Sequence, residues 1–416
     1  MLKRIDVQHL VLGMYLHELC GSWMEHPFWR TRFLLADPED LVRIHASQIH
    51  EVWIDTSKGL DVPDGTASTT RAEADAQVDA ALGQADSQQE LALDAARQAR
   101  RRPSSMADEL RRAANICTDG KQAVVAMFQQ ARMGQAIDQH GVQSLVHAIS
   151  DSIARNPGAL ISLARLKTAD EYTYLHSVAV SALMMGLARQ IGMDDDAIHI
   201  AGQAGLLHDL GKAVIPLEIL NKPGRLTDDE FATMRSHPVA SHAMLQGSGV
   251  HPLALDACLH HHEKMDGTGY PHGLKGDQIK VLARMTAICD VYDAITSDRP
   301  YKNGWDPSES LRRMAEWSHD HFDNRLFQAF VKTMGIYPVG SLVRLASGRL
   351  GVVTQQGSSA LTAPHVKVFF STKSDLRIPP ETIALGAPGC SDKIAAREDP
   401  RRWNFPDLAQ LWLEQA

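Results

Sequence analysis

Between residues 106 and 337 apolar residues recur at helical spacing, and no stretch alternates as a half-buried strand would. Ile116, Val124, Val125, Met127 and Phe128 fall in one segment, and Val142, Leu145, Val146 and Ile149 in the next. Leu160, Leu163 and Leu166 follow. A stretch of this length without strands has one way to bury its apolar stripes, which is helix against helix. The flanks read differently. In residues 1–62, Val11 to Leu16 and Val52 to Asp55 have strand composition, and a short helix from Pro38 to Ile49, capped by Asp37, is expected between them. Residues 63–105 are dominated by Ala, Gln, Asp, Ser and Thr and read as a low-complexity linker. In residues 338–416, Leu342 to Leu345, Gly351 to Val353 and Val366 to Phe370 are short strand candidates, so a small barrel-like, β-rich module is expected. The expected fold class is therefore mainly α: an all-helical domain (106–337) between a small α/β N-terminal module and a small β-rich C-terminal module.

The 416 residues carry a net charge of −8, which argues against a nucleic-acid polymer as partner. No run of about 18 apolar residues occurs, and the N-terminus lacks a sustained apolar segment, so no membrane span is expected. The five cysteines are scattered and never form a C-x-x-C pair, which fits a reducing cytosol and a cytoplasmic protein.

Chemistry concentrates in the helical stretch. His208 and Asp209 end an apolar run, with Lys212 about one turn later. Neutral imidazole nitrogen beside hard carboxylate oxygen suits a first-row divalent metal. Adjacent residues cannot close such a site alone, so further ligands have to come from other helices. His176 opens one helix. Thr227 and Glu230 form a capping box for another, which reaches His237, where Pro238 would disturb its continuation. His260, His261, His262 and Glu263 close a helix begun by Pro252, and Asp290 and Asp293 lie three residues apart on a last one. The loop from Asp266 to Pro271 holds a turn and puts Tyr270 beside the histidines. Taken singly, each of these histidines is an ordinary helix-end residue. His199, His242, His251 and His272 read as surface or loop positions, and His260 as the solvent-facing member of its triple.

Taken in order, these residues resemble the HD-GYP family of bacterial cyclic di-GMP phosphodiesterases. The resemblance covers about residues 173–314. It rests on H-S at His176, L-L-H-D-L-G-K ending at Lys212, K-P-G-R-L-T ending at Thr227 and His237 before Pro238. It continues through H-H-E from His261, D-G-T-G-Y-P from Asp266, C-D-V-Y-D-A-I-T-S from Cys289 and R-P-Y-K from Arg299. It implies an HD-type helical domain whose metal ligands are His176, His208, Asp209, His237, His261, His262 and Asp290. Asp209 would bridge two ions, with His176, His208 and Asp290 completing one site and His237, His261 and His262 the other. Lys212, Tyr270, Arg299 and Lys302 match positions near substrate phosphates, and Asp293 one that orients a ligand or water. Lys212, Asp209 and Asp293 are the expected catalytic groups.

The resemblance implies a metal-bridging hydroxide that opens cyclic di-GMP to pGpG and onward to GMP. Histidine-rich ligation suits Fe or Mn and admits Zn, Ni or Co. Members with three metals carry a glutamate where this chain has Tyr172, with Glu171 one residue away, so two ions are expected. Two other readings remain open. One is a general HD-superfamily nucleotide phosphohydrolase. The other is a non-catalytic scaffold that binds the dinucleotide or a partner, such as a diguanylate cyclase or another signalling protein. A homodimer is compatible with each reading.

Overall fold

The structure, a computed structural model, describes residues 1–20, 32–47, 49–63, 65–84, 104–165, 172–222, 224, 226–298, 304–318, 320–357 and 360–413. Residues 1–81 make one compact unit, and most of the chain from residue 82 onward makes another.

The first unit is a five-stranded antiparallel sheet of β1 (Leu2–Asp6), β2 (Tyr15–Leu19), β3 (Phe33–Leu34), β4 (Glu51–Asp55) and β5 (Thr69–Thr70), in the order β3-β2-β4-β1-β5. Helix α1 (Pro38–His45) is capped as expected, with the Asp37 carboxylate accepting from the Glu39 amide at 2.9 Å. It stops four residues short of Ile49. The stretch from Val11 to Met14 is a turn rather than a strand, because Gly13 takes φ +94° and the chain reverses there before β2. Ile5, Leu16, Ile44, Val52 and Ile54 fill an apolar core. Part of the stretch read as a linker is regular: Thr69–Thr70 pairs with β1, and α2 (Arg71–Gln84) follows. Residues 85–103, with the Arg100 to Arg102 run, lie outside the described residues.

The second unit opens with α3 (Met106–Arg132), α4 (Gln139–Arg155) and α5 (Pro157–Arg165). Next come α6 (Tyr172–Gln190), α7 (Asp195–Leu207), the short α8 (Leu217–Leu220), α9 (Asp228–Met234), α10 (His237–Leu245) and α11 (Pro252–His260). The helical part ends with α12 (Val281–Thr296), α13 (Pro307–Trp317) and α14 (Asn324–Met334). Among the described residues no strand interrupts it, and no helix is long and apolar enough to cross a membrane. Helices α6, α7 and α12 are buried nearly all round, as the centre of a helical layer must be. Small residues let them approach: a Cβ on Gly205 of α7 would lie 2.8 Å from the backbone of Ser181 in α6. The capping box of Thr227 and Glu230 forms, but α9 ends at Met234. His237 instead begins α10, with Pro238 in its first turn, where a missing N–H costs nothing.

The C-terminal sheet is antiparallel, with β6 (Leu342–Leu345), β7 (Arg349–Gln355), β8 (His365–Ser371), β9 (Leu376–Ala384) and β10 (Ile394–Arg397) in the order β10-β6-β7-β8-β9. It is an open sheet rather than a barrel: among the described residues no pairing joins β10 to β9. Leu342, Leu350, Val352 and Phe369 pack with Met106 and Leu110 of α3, Ala159 of α5, and Leu411 and Trp412 of α15 (Leu408–Leu413). The sheet thus shares one apolar core with the helices.

Candidate metal centre

Four helix ends and one helix interior supply the site. His176 lies in the second turn of α6. His208 is the C-cap of α7, and Asp209 follows it just ahead of a 3-10 turn, Leu210–Val214. His237 starts α10, His261 is the C-cap of α11, and Asp290 and Asp293 face inward from α12, which is buried at both positions. The turn carrying His208 and Asp209 is locked by Ser241 of α10. Its hydroxyl donates to the His208 carbonyl at 2.9 Å and accepts from the Gly211 amide at 2.7 Å. Gly211 is required there, because a Cβ would sit 2.1 Å from the His237 carbonyl oxygen.

The six ligand-type residues other than Asp209 fall into two trios. Ligand atoms of His176, His208 and Asp290 lie within 4.8 Å of one another, and so do those of His237, His261 and His262. Asp209 stands between them. Its Oδ2 is 3.4 Å from both His176 Nε2 and His208 Nε2, and its Oδ1 is 3.2 Å from His237 Nε2 and 3.8 Å from His261 Nε2. Asp290 Oδ1 lies 3.1 Å from His176 Nε2. In the second trio His237 Nε2 is 3.3 Å from His261 Nε2 and 3.2 Å from His262 Nε2.

The rings are held so that Nε2 points inward. His208 Nδ1 donates to the Gly205 carbonyl at 2.8 Å, His237 Nδ1 to that of Met234 at 2.7 Å, and His261 Nδ1 to that of Cys258 at 2.9 Å. His176 Nδ1 donates to Asp293 Oδ2 at 2.6 Å, so Asp293 fixes this ring from behind. His208 Nε2 and Asp209 Oδ1 are fully buried yet close no hydrogen bond within the protein. Buried polar atoms are not left unsatisfied without reason. Inward nitrogens, a shared carboxylate and these orphaned atoms together fit a pair of divalent ions.

The electrostatics of the metal-free chain agree. Burial opposes charge on His176, but the carboxylates of Asp209, Asp290 and Asp293 outweigh it and raise its pKa to about 10. Burial likewise opposes charge on His208, and Asp209 and Asp290 raise it to about 9. Burial works against ionised Asp209, yet His208, Lys212 and His176 hold its carboxyl well below the usual range, and Asp290 behaves likewise beside His176 and His208. In the second trio burial, reinforced by neighbouring histidines, pushes His261 down to about 3 and His262 well down too. The histidines of the first trio therefore hold protons where an ion would sit, and His261 and His262 present neutral nitrogens.

A loop closes over the histidines. Glu263 accepts from the His272 amide at 2.7 Å and the Leu274 amide at 3.0 Å, pinning the loop from its far end. Gly269 packs on the backbone, where a Cβ would meet Glu263 Cα at 2.4 Å. Tyr270 follows, before a cis bond to Pro271, and its ring stacks on His262 with centroids 4.7 Å apart and planes at 27°. Arg235 lies over the other part of this stack, its guanidinium 4.4 Å from the Tyr270 centroid. Lys212 Nζ donates to Asp209 Oδ2 at 2.5 Å.

Arg299 and Lys302 lie outside the described residues, as do Glu171 and the side chain of Tyr172, on which the choice between two and three ions turned. Two residues beyond the sequence reading shape the site: Ser241 follows His237 by four residues and so shares its helix face, and Arg235 lies one turn after Phe231. Glu263, read from the sequence only as the end of the H-H-E motif, pins the loop. His260 is not the solvent-facing member of its triple: its side chain is only 12% exposed and contacts Asp256 and His272.

Residues 147–326 match the family described as an HD domain, and residues 2–142 one described as a domain of unknown function, DUF3391. The cyclic di-GMP phosphodiesterase PA4108 of Pseudomonas aeruginosa is 52% identical over 414 residues, which is 99% of this chain and 96% of that one. The cyclic di-GMP phosphodiesterase response regulator RpfG of Xanthomonas campestris is 33% identical over 212 residues, 50% of this chain and 56% of its own. The 3'3'-cGAMP-specific phosphodiesterase 1 of Vibrio cholerae is 34% identical over 168 residues, 40% of this chain and 39% of its own. Among solved structures, the HDG"Y"P protein Bd1817 of Bdellovibrio bacteriovorus aligns with a TM-score of 0.46 at 16% identity, over 80% of this chain and 99% of that one.

Proposed function

The chain belongs to the HD-GYP family of metal-dependent phosphodiesterases, and from that premise we propose that it hydrolyses cyclic di-GMP to linear pGpG, with GMP as the product of a second cleavage. The observation that carries this reading is Asp209, whose two oxygens face two separate ligand trios. His176, His208 and Asp290 would hold one divalent ion, His237, His261 and His262 the other, and Asp209 both. When bound, the pair supplies a water acidic enough to attack phosphorus near neutral pH and positive charge for the phosphoryl oxygens. Histidine-rich donors favour Fe or Mn, with Zn, Ni and Co as poorer candidates.

The chain's own residues do the rest. Asp293 keeps the Nδ1 proton of His176 and so aims Nε2 inward, which makes it a positioning residue. Lys212, paired with Asp209, brings a positive charge to the cluster that can stabilise a substrate phosphate oxygen. Tyr270, stacked on His262 with the Arg235 guanidinium over its ring, places a phenol hydroxyl that can donate to a substrate phosphate, and Arg235 adds a cation beside it. Arg299 and Lys302 complete the phosphate-binding set by the R-P-Y-K motif.

The test is an assay of the purified chain, loaded anaerobically with Fe²⁺ or with Mn²⁺, on cyclic di-GMP with the products separated by chromatography. Cleavage by the wild type, its absence in Asp209→Asn, and a metal count near two per chain are the expected results. A dinucleotide that is bound but never opened would leave only the scaffold reading. The likeness to a 3'3'-cGAMP-specific enzyme supports a second reading, in which the mixed dinucleotide is the better substrate, so both belong in the assay. Sedimentation of the chain alone and with a diguanylate cyclase tests the homodimer and the signalling partner.

A further inference from the structure

One residue before His261, α11 ends on His260, whose ring belongs to a different group. Ligand-type atoms of His260, Glu263 and His272 all lie within 4.8 Å of one another. His260 Nε2 and His272 Nδ1 are 3.0 Å apart, with ring centroids at 5.2 Å and planes at 55°. The other nitrogen of His260 is 3.3 Å from Asp256 Oδ1, one turn earlier, and the same carboxylate takes the Lys280 ammonium at 3.0 Å. A carboxylate at Nδ1 keeps the proton there and leaves Nε2 with its lone pair toward His272, the arrangement in which metal-binding histidines are held.

A hydrogen bond between the two rings would account for that pair alone. It does not account for the third member. Glu263 is 2% exposed, and each of its carboxylate oxygens takes one backbone amide. Each therefore keeps a second lone pair, and one of the two oxygens lies within 4.8 Å of a ring nitrogen of each histidine. Two imidazoles and one carboxylate are the protein ligands of an open zinc site. A nitrogen separation of 3.0 Å is close to the roughly 3.3 Å expected for two ligands of one tetrahedral zinc with bonds of about 2.05 Å. His272 is exposed, which leaves the fourth position to water.

We propose that His260, Glu263 and His272 form a second metal site, open to solvent and distinct from the buried pair, for Zn²⁺ or a similar late first-row divalent ion. Asp256 is its positioning residue. An ion there ties the end of α11 to the segment directly after Tyr270 and Pro271, and so holds in place the aromatic ring stacked on His262. The site does not depend on the catalytic reading, because none of its three ligands belongs to either buried trio.

The full chain, stripped of metal, is dialysed to equilibrium against buffered micromolar Zn²⁺, and bound zinc is counted by atomic emission. His272→Ala removes a surface ring and keeps the amide that Glu263 takes. It is expected to hold one zinc per chain fewer than wild type, and His272→Cys, which restores a zinc ligand, is expected to recover it. His260→Gln, which retains a hydrogen-bonding side chain, is expected to show the same loss as His272→Ala. Equal counts in wild type and His272→Ala overturn the proposal, as does a loss that His272→Cys fails to recover. The readout is a difference in zinc count, so it stands whether or not cyclic di-GMP is cleaved.

Discussion

The helical core and the two sheets solve burial in opposite ways. In each sheet the inward positions are apolar: Leu16, Val52 and Ile54 in the first, and Val343, Val352, Val366 and Phe369 in the second. In the centre of the helical layer, by contrast, His176, His208, Asp209, His237, His261, Asp290 and Asp293 are all buried against one another. Burying ionisable groups costs free energy unless partners compensate, and some of these inward atoms, His208 Nε2 and Asp209 Oδ1 among them, close no hydrogen bond within the protein. The difference teaches where each region's stability comes from. The sheets bury apolar side chains, whereas the helical centre buries a cluster of histidines and carboxylates of the kind that can hold metal.

Substitutions can break that contrast. The largest effect is expected at Asp209, the one side chain shared by both trios. Asp209→Asn should lower kcat with cyclic di-GMP by on the order of 10⁴-fold, the scale of a lost reacting group, and cost both ions in elemental analysis. If one ion survives with full occupancy, Asp209 is not the bridge. Phe369→Ala, in the core shared by sheet and helices, should do the reverse. It should cost about 3–5 kcal/mol in denaturant unfolding while metal content and kcat stay at wild-type values. An activity loss comparable to that of Asp209→Asn would mean that the sheet is more than a support.

Asp293→Asn sharpens the contrast within the site. It keeps a side chain in place but weakens the grip on His176 Nδ1. Metal affinity should fall by about 10–100-fold, with activity restored at high metal concentration.

The pH dependence follows from the protons held in the first trio. Without metal, His176 stays protonated up to about pH 10 and His208 up to about 9, both above the 6.5 of an ordinary imidazole. An incoming divalent ion has to expel those protons, so its affinity should rise with pH between 6.5 and 9 and protons should be released on binding. Calorimetry in buffers of different ionisation enthalpy measures that release. The sign reverses for the metal-free fold. There the charged histidines contribute stability that is complete below pH 6.5 and is lost as pH rises through 9 to 10.

The smallest effect is expected at Arg235. Removing its stack on Tyr270 with Arg235→Ala should raise KM about fivefold, what ~1 kcal/mol of cation–π contact amounts to, with kcat little changed.

Sequence alone determined the strand-free centre, because apolar spacing at 3.6 residues is a local signal, and it determined helix starts marked by a cap. Asp37 and Thr227 cap where their side chains accept from the backbone. It also marked out the candidate ligands, since an ordered series of histidines and aspartates at helix ends can be read without coordinates. Tertiary structure decided what spacing cannot encode. His237 begins a helix instead of ending one, because Pro238 fits a first turn and Gly211 lets the His208 turn press against it. The two oxygens of Asp209 face different trios only because α6, α7, α10, α11 and α12 meet at one point. His260, two residues from His262, turns to Asp256 and His272 instead. Local pattern fixes which face of a helix a side chain occupies, but which groups meet across helices is set by packing, and packing depends on every contact in the core at once.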